Sequence, residues 1–245
     1  MFSMRSQLDA ERLLELGIPE EKIKVTGNIK FDTPPMEANK LKSVAFDPSL
    51  FLIVFGSTRP GDEGLVMEAY VKLKNDFPNI IGVIAPRHIQ RCREVEDLIS
   101  EFNVEYISYS KIGEADDWVN RPGALILVDK LGMLTSFYAN AKLAYVGGGF
   151  NPRFGGQNIL EPAAFNIPVL FGKHMNNFED EARLLIDSGG GIQIQKEEEL
   201  YPKLKYFILS SEDRQKAGQA AAGTVRKHRG AALRNIKIIE ETHSA

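Results

Sequence analysis

The sequence predicts an α/β fold built on a doubly wound, parallel sheet. Short apolar runs alternate with amphipathic helical stretches along most of the 245 residues, an order typical of strand–helix–strand units. The runs are apolar throughout instead of alternating with polar residues, as expected when helices cover both faces of a sheet. In such Rossmann-like sheets ligands bind beyond the carboxyl ends of the strands, so the loops that follow strands are the expected functional positions.

The predicted elements follow one another in a regular order. Strands are predicted at residues 23–26, 51–55, 80–85, 104–107, 124–128, 143–146, 167–171 and 191–194. Helices are predicted between them at residues 62–76, 89–101, 131–139 and 178–188. Residues 5–16 form a further amphipathic pattern that ends at Gly17, before any predicted strand. From Ser211 onwards the sequence has helical periodicity and no strand.

Composition and charge exclude several classes of protein. A hydrophobic content of 43% allows a real core, whereas a net charge of −3 argues against nucleic acid as a partner. No segment approaches the roughly 18 consecutive apolar residues of a membrane span, and the first residues lack the apolar core of a signal peptide, so we expect this chain itself to be soluble. A single cysteine excludes an internal disulfide, and the scattered histidines predict no metal site.

Two of the post-strand loops carry groups suited to an anion. Ser57 and Thr58 offer hydroxyls between a buried strand and a helix N-terminus, although the same residues could serve only as a helix cap. Pro86 and Arg87 end the next strand, where the guanidinium of Arg87 could meet a phosphate. The alternative for Arg87 is an ion pair with a surface carboxylate.

The most informative loop runs from residue 147 to residue 162 and contains two glycine clusters. The carboxylate of Glu161 could accept two hydrogen bonds from a ribose diol, and free backbone N–H groups near Asn158 could meet a phosphate. The alternative is a tight turn in which the glycines are needed only for their backbone angles. Lys173, His174 and Asn177 follow the next strand, and we expect them to border the same cleft.

Taken in order, these segments resemble the C-terminal half of the GT-B glycosyltransferases. More specifically, they are similar to the 3-deoxy-D-manno-octulosonic acid (Kdo) transferases of lipopolysaccharide synthesis. The resemblance rests on residues 25–32, 56–58 with Glu63, 85–88, 129–138 and 147–164. Two positions depart from the usual pattern of that family, since Gln157 stands where many relatives have histidine and Met133 where many have glutamate.

The resemblance implies which residues hold the donor nucleotide. With Ser57 and Thr58 added from the loop analysis, the predicted donor-binding residues are Ser57, Thr58, Pro86, Arg87, Gly132, Met133, Leu134, Asn158, Ile159, Leu160 and Glu161. Lys30 matches a family residue to which stabilisation of transition-state charge is assigned. The resemblance implies no cofactor and an inverting reaction, and the absence of an Asp-x-Asp pair is consistent with a metal-independent route.

The complete enzyme implied by the resemblance moves Kdo from CMP-Kdo to a lipid A precursor at the cytoplasmic side of the inner membrane, with peripheral membrane contact. We expect residues 1–245 to form the CMP-Kdo-binding domain, without the family's N-terminal domain, which holds the acceptor site and the general base. The isolated chain should then bind donor without transferring sugar. The alternatives are another GT-B transferase or epimerase that uses a UDP- or GDP-sugar, and a non-catalytic nucleotide-binding module.

Overall fold

The structure, a computed structural model, describes residues 1–32, 46–113 and 120–243. The strands are β1 (Phe2–Met4), β2 (Ile23–Val25), β3 (Phe51–Thr58), β4 (Ile80–Pro86), β5 (Tyr106–Ser108), β6 (Leu125–Leu127), β7 (Leu143–Val146), β8 (Val169–Gly172) and β9 (Gly191–Ile194). The helices are α1 (Gln7–Glu15), α2 (Asp62–Asp76), α3 (Cys92–Glu101), α4 (Leu134–Tyr138), α5 (Leu160–Ala163), α6 (Glu179–Ser188), α7 (Leu200–Leu209), α8 (Ser211–His228) and α9 (Ala231–His243). None of these helices has the length and apolarity to cross a bilayer.

The chain divides into two compact units, of which the smaller comprises residues 1–34 and 223–245. In it β1 and β2 pair in parallel. Helix α1 between them is capped by Ser6, whose hydroxyl accepts a hydrogen bond from the backbone N–H of Asp9. The carboxylate of Asp32 accepts hydrogen bonds from the backbone N–H groups of Gly230 and Ala232, and so caps the start of α9.

The smaller unit corrects two expectations about the start of the chain. The amphipathic helix was expected before any strand, but β1 precedes it. A strand of three residues, Phe2–Met4, is too short to show a period, which is why the sequence pattern misses it. The strand predicted at residues 23–26 forms, but it pairs with β1 in a separate two-stranded sheet instead of joining the main one.

The larger unit, residues 35–222, contains a sheet of seven parallel strands in the order β5-β6-β4-β3-β7-β8-β9. The first strand, β3, lies near the middle and pairs with β4 on one side and with β7 on the other. The chain therefore builds the sheet outward in one direction and then returns to build it in the other. This arrangement confirms the predicted doubly wound fold, and the reversal between β3 and β7 is the place where such sheets bind ligands.

Helices cover both faces of this sheet, as the uniformly apolar strands predicted. Along β3, Ile53 and Phe55 pack on the face that carries α2, α3 and α7. Leu52 and Val54 pack on the opposite face, where Phe137 of α4 belongs to the second apolar cluster. All four strand residues are buried. Because side chains on successive strand residues point to opposite faces, this double burial is what an unbroken apolar strand requires.

The strand ends differ from the prediction in a way that matters for the loops. β3 continues to Thr58 and β4 continues to Pro86, both beyond the predicted ends. The helix predicted at residues 131–139 is shorter, Leu134–Tyr138. Ser57, Thr58 and Pro86 are therefore the last residues of rigid strands instead of members of free loops.

Two helical glycines offer a matched test of this packing. A Cβ at Gly64 in α2 would meet no atom within 4 Å, whereas a Cβ at Gly218 in α8 would lie 2.0 Å from the carbonyl oxygen of Asn166. Gly64→Ala should raise the free energy of unfolding by about 0.5–1 kcal/mol through helix propensity. Gly218→Ala should lower it by about 1–3 kcal/mol through overpacking. Urea denaturation checks both, and shifts of the same sign would contradict the packing.

Candidate functional site

A cleft of about 440 Å³ opens at the carboxyl edge of the seven-stranded sheet. Its lining comes from the ends of β3, β4 and β6 and from the loops after β6 and β7. The predicted site residues that it brings together are Ser57, Pro86, Arg87, Gly132, Leu134, Asn158 and Glu161. The cleft therefore lies at the reversal of the sheet, where the fold class places a ligand.

Other predicted site residues do not line the cleft. The side chains of Thr58, Met133, Ile159 and Leu160 are buried, and Met133 packs in the apolar cluster with Phe137. Any contact that these four residues make with a ligand would have to come from the backbone. Lys30 lies in the turn Ile29–Asp32, which is part of the smaller unit.

Ser57 reaches the cleft through a strained backbone. Its φ of +52° is in the left-handed region, which serine rarely adopts, and the pairing of β3 with β4 shifts register between Gly56 and Thr58. A bulge of this kind redirects one side chain at the end of a strand. Such strain is typical of functional positions, where the surrounding structure holds an unfavourable conformation.

A buried carboxylate, Asp62, joins the two loops that meet at the sheet reversal. The hydroxyl of Tyr145 donates to its Oδ1 at 2.9 Å, and the backbone N–H groups of Gly148 and Arg59 donate to its Oδ2 at 2.7 and 2.8 Å. Burial raises the pKa of Asp62, and the three hydrogen bonds act in the opposite direction. The sequence analysis missed this role because an acidic residue in the first turn of a helix is common for dipole reasons alone.

The glycine loop after β7 packs too closely for side chains at several positions. A Cβ at Gly147 would lie 2.6 Å from the Cα of Thr58, and one at Gly149 would lie 2.7 Å from the backbone nitrogen of Gly172. The loop folds back on itself, since the N–H of Gly156 donates to the carbonyl of Gly148 at 2.9 Å. Here the glycines are required by close backbone contacts, so the structural alternative raised above is part of the explanation.

The segment after β8 supports this loop from behind. The N–H of His174 donates to the carbonyl of Gly149 at 2.8 Å, and the N–H of Asn177 donates to that of Gly155 at 2.9 Å. Lys173, His174 and Asn177 are absent from the cleft lining, where the segment contributes Phe178 instead. The expectation that these three residues border the cleft is therefore wrong. The backbone of this segment is hydrogen-bonded to the glycine loop instead.

Asn158 orients Glu161 within the cleft. Its Oδ1 accepts a hydrogen bond from the N–H of Leu160 at 3.1 Å, and its Nδ2 donates to Oε1 of Glu161, also at 3.1 Å. The other carboxylate oxygen of Glu161 has no hydrogen-bond partner in the described part of the chain. Burial raises the pKa of Glu161, opposed by the Asn158 hydrogen bond and the positive charge of Arg87. Helix α5 is a single turn, so Asn158 and the charge of Arg87 matter here more than a helix dipole.

Arg87 is exposed, and its guanidinium is not in an ion pair within the described ranges. Its Nε donates to Oε1 of Gln157 at 3.1 Å, and its backbone N–H donates to the carbonyl of Thr58 at 2.9 Å. The structure therefore does not show the surface ion pair that was the alternative for Arg87. Gln157, one of the departures from the family pattern, orients the arginine through a neutral hydrogen bond.

The sequence analysis also missed residues that line the cleft. Lys130, Thr135 and Gln157 are among them, and Lys130 is exposed. Lys130 comes two residues after the strand predicted at residues 124–128, so the rule that loops after strands carry function could have found it. Over the described residues, no group of three or more His, Cys, Asp or Glu side chains is placed to hold a metal ion.

The chain is similar to known sugar transferases. A family model described as 3-Deoxy-D-manno-octulosonic-acid transferase (kdotransferase) matches residues 1–33. The chain is 34% identical over 206 residues to a bifunctional glycosyltransferase/methyltransferase of Fusobacterium nucleatum, covering 81% of this chain and 31% of that protein. It is 30% identical over 220 residues to the 3-deoxy-D-manno-octulosonic acid transferase of Chlamydia pneumoniae, covering 87% and 49%. These matches confirm the expected resemblance.

A solved structure supports the fold of the larger unit. The C-terminal CMP-Kdo binding domain of WaaA from Acinetobacter baumannii matches with a TM-score of 0.66 and 23% identity, over 72% of this chain and 90% of that one. At this identity the likeness establishes the fold, a GT-B C-terminal domain. The chain spans about a third to a half of the length of the two curated relatives described above.

Replacing Asp62 should separate its hydrogen bonds from its charge. Asp62→Ala leaves three donors, two of them buried, without this acceptor and should lower the free energy of unfolding by roughly 2–4 kcal/mol. Asp62→Asn should lose less, because its amide oxygen can still accept from the two backbone N–H groups and its NH₂ can donate to Tyr145. Urea denaturation measures both. Equal losses for the two variants would show that hydrogen bonding is not the main contribution.

Proposed function

We propose that this chain, which belongs to the Kdo transferase family by sequence similarity, is the donor-binding part of an enzyme that transfers Kdo from CMP-Kdo. The observation that carries the proposal is the presence in one cleft of an unpaired guanidinium, Arg87, and an oriented carboxylate, Glu161. A nucleotide needs both, because its phosphate accepts hydrogen bonds and its ribose hydroxyls donate them.

Each part of the proposed site has a distinct task. Arg87 meets the phosphate and stabilises the charge that grows on CMP as the glycosidic bond breaks. Glu161 accepts hydrogen bonds from the ribose, with Asn158 fixing its orientation through the hydrogen bond at 3.1 Å. Gln157 holds the Arg87 side chain toward the cleft. For Lys30 we propose the role that the family resemblance implies, which is stabilisation of transition-state charge.

The acceptor side of the reaction is proposed from the resemblance. In the complete enzyme the acceptor is a lipid A precursor, and transfer takes place at the cytoplasmic face of the inner membrane. A general base within about 3 Å of the acceptor hydroxyl is needed for transfer, and the cleft described above offers nucleotide-binding groups instead. We propose that the base lies outside this chain, so that the chain alone binds donor without transferring sugar.

Nucleotide preference tests the proposal. The 245-residue chain should bind CMP more tightly than UMP, GMP or AMP in isothermal titration calorimetry. Absent binding, or equal binding of the four, would contradict a CMP-sugar site. Tighter binding of UDP or GDP than of CMP would favour the alternative, a transferase or epimerase that uses a nucleoside diphosphate sugar.

Glu161→Gln should lower CMP affinity roughly 3- to 10-fold, because a neutral acceptor makes weaker hydrogen bonds to the ribose. Binding of 2′,3′-dideoxy-CMP should be unchanged, since it lacks both hydroxyls. Calorimetry with both ligands checks this, and equal losses would remove the ribose role.

Stability provides the control for the Glu161 variant. Burial raises the pKa of Glu161. The carboxyl group therefore contributes its full stabilising free energy at low pH, where it is protonated, and this contribution is lost as the pH rises through the raised pKa. The glutamine variant, which cannot ionise, should therefore be at least as stable as the wild type at pH 7. A loss of CMP affinity in this variant is then a property of the site and not of folding.

A further inference from the structure

A second guanidinium, that of Arg59, follows β3 and has no carboxylate partner in the described part of the chain. Its Nη1 donates to Nε2 of His88 at 2.6 Å, and its Cζ lies 4.9 Å from the centre of the Phe154 ring. Its Nε is buried and has no hydrogen-bond partner among the residues that the structure describes. The contact of Arg59 with Asp62 is made by the backbone N–H and leaves the side-chain charge unneutralised.

Arg59 and Arg87 follow neighbouring strands, and both lie near Gln157, which lines the cleft. Arg59 follows the end of β3 and Arg87 follows the end of β4. Both Arg59 and Gln157 lie close to Gly148. From the position that a Cβ would take at Gly148, the Cγ of Arg59 is 3.5 Å away and the amide nitrogen of Gln157 is 3.2 Å away. Gln157 also accepts the hydrogen bond from Arg87. Gln157 and Gly148 thus lie between the two arginines.

The contact with His88 leaves the charge of Arg59 intact. A guanidinium can only donate hydrogen bonds, so Nε2 of His88 is the acceptor in this contact. This hydrogen bond orients the arginine without an ion pair to a carboxylate. A buried Nε–H without an acceptor carries a free-energy cost in the unliganded chain, and an anion bound beside Arg59 would relieve it.

We infer that Arg59 binds the carboxylate of the donor sugar, so that the site selects nucleotide-activated sugar acids over neutral sugars. The inference rests on the proposed function, in which the donor is CMP-Kdo. In that donor the anomeric carbon carries both the phosphate oxygen and the carboxylate, so two anionic groups lie side by side. Arg87 serves the phosphate, and the planar fork of Arg59 matches the carboxylate.

The test compares two ligands that share the phosphodiester. CMP-Kdo carries the carboxylate, and the methyl ester of CMP has the same phosphodiester charge without it. Arg59→Gln should weaken CMP-Kdo binding roughly 10- to 100-fold, the range expected for hydrogen bonds to a charged group. It should change binding of the methyl ester less than about 2-fold, since this ligand lacks the group that Arg59 would bind. Calorimetry on the 245-residue chain measures both.

Three further variants sharpen the comparison. Arg87→Gln should weaken both ligands alike, since both carry the phosphate. Arg93→Gln removes an exposed arginine from α3 and should change neither ligand. Arg59→Lys keeps the charge without the fork and should show a smaller loss than Arg59→Gln, again confined to CMP-Kdo. If thermal melting shows that Arg59→Gln is unfolded, the lysine variant carries the test.

The possible outcomes separate the two proposals. If the wild-type chain binds neither ligand, the proposed function fails and the role of Arg59 fails with it. If the wild type binds both and the Arg59 variants weaken both equally, or neither, only the inference about Arg59 is overturned. A loss confined to CMP-Kdo supports the carboxylate role, because a purely structural effect of Arg59 on the loop would move both ligands together.

Discussion

The site depends on the hydrogen bonds that the buried carboxylate of Asp62 accepts. This carboxylate accepts hydrogen bonds from three places, namely the loop after β3, the strand β7 and the glycine loop that follows β7. These segments meet where the chain reverses its direction across the sheet, and nothing in the parallel ladders alone fixes their loops to each other. Removing the carboxylate from water is unfavourable, but three donors in fixed positions compensate for it and make the loop geometry specific.

The fold could be predicted from the sequence because its strands are buried on both faces. Residues 51–55 and 80–85 are unbroken apolar runs, and the structure extends them as β3 and β4. The strand Phe2–Met4 could not be predicted, because three residues show no period. The separate pairing of β2 with β1 could not be predicted either, since the choice of partner depends on contacts distant in sequence.

The site was predicted where chemistry and position coincided. Arg87 and Glu161 stand out because charged groups follow strands at the carboxyl edge of the sheet, and both line the cleft. Met133 and Leu160 were carried over by motif alone, and their side chains face the core. The role of Asp62 and the approach of Arg59 to Gln157 depend on loops that are adjacent only in three dimensions. A spacing along one chain contains no signal for such contacts.

The position of β3 also determines when a site can exist during folding. β3 pairs with β7 through contacts such as that of Ile53 with Leu143, which are far apart in sequence, whereas β3 and β4 are joined by one helix. Long-range parallel pairing forms slowly because its loop closure is unfavourable until the contacts are made. A partly folded chain that contains only β3 to β6 would have Arg87 and no glycine loop. Binding of the proposed donor would then act on the finished sheet alone and would shift the folding equilibrium towards it by mass action.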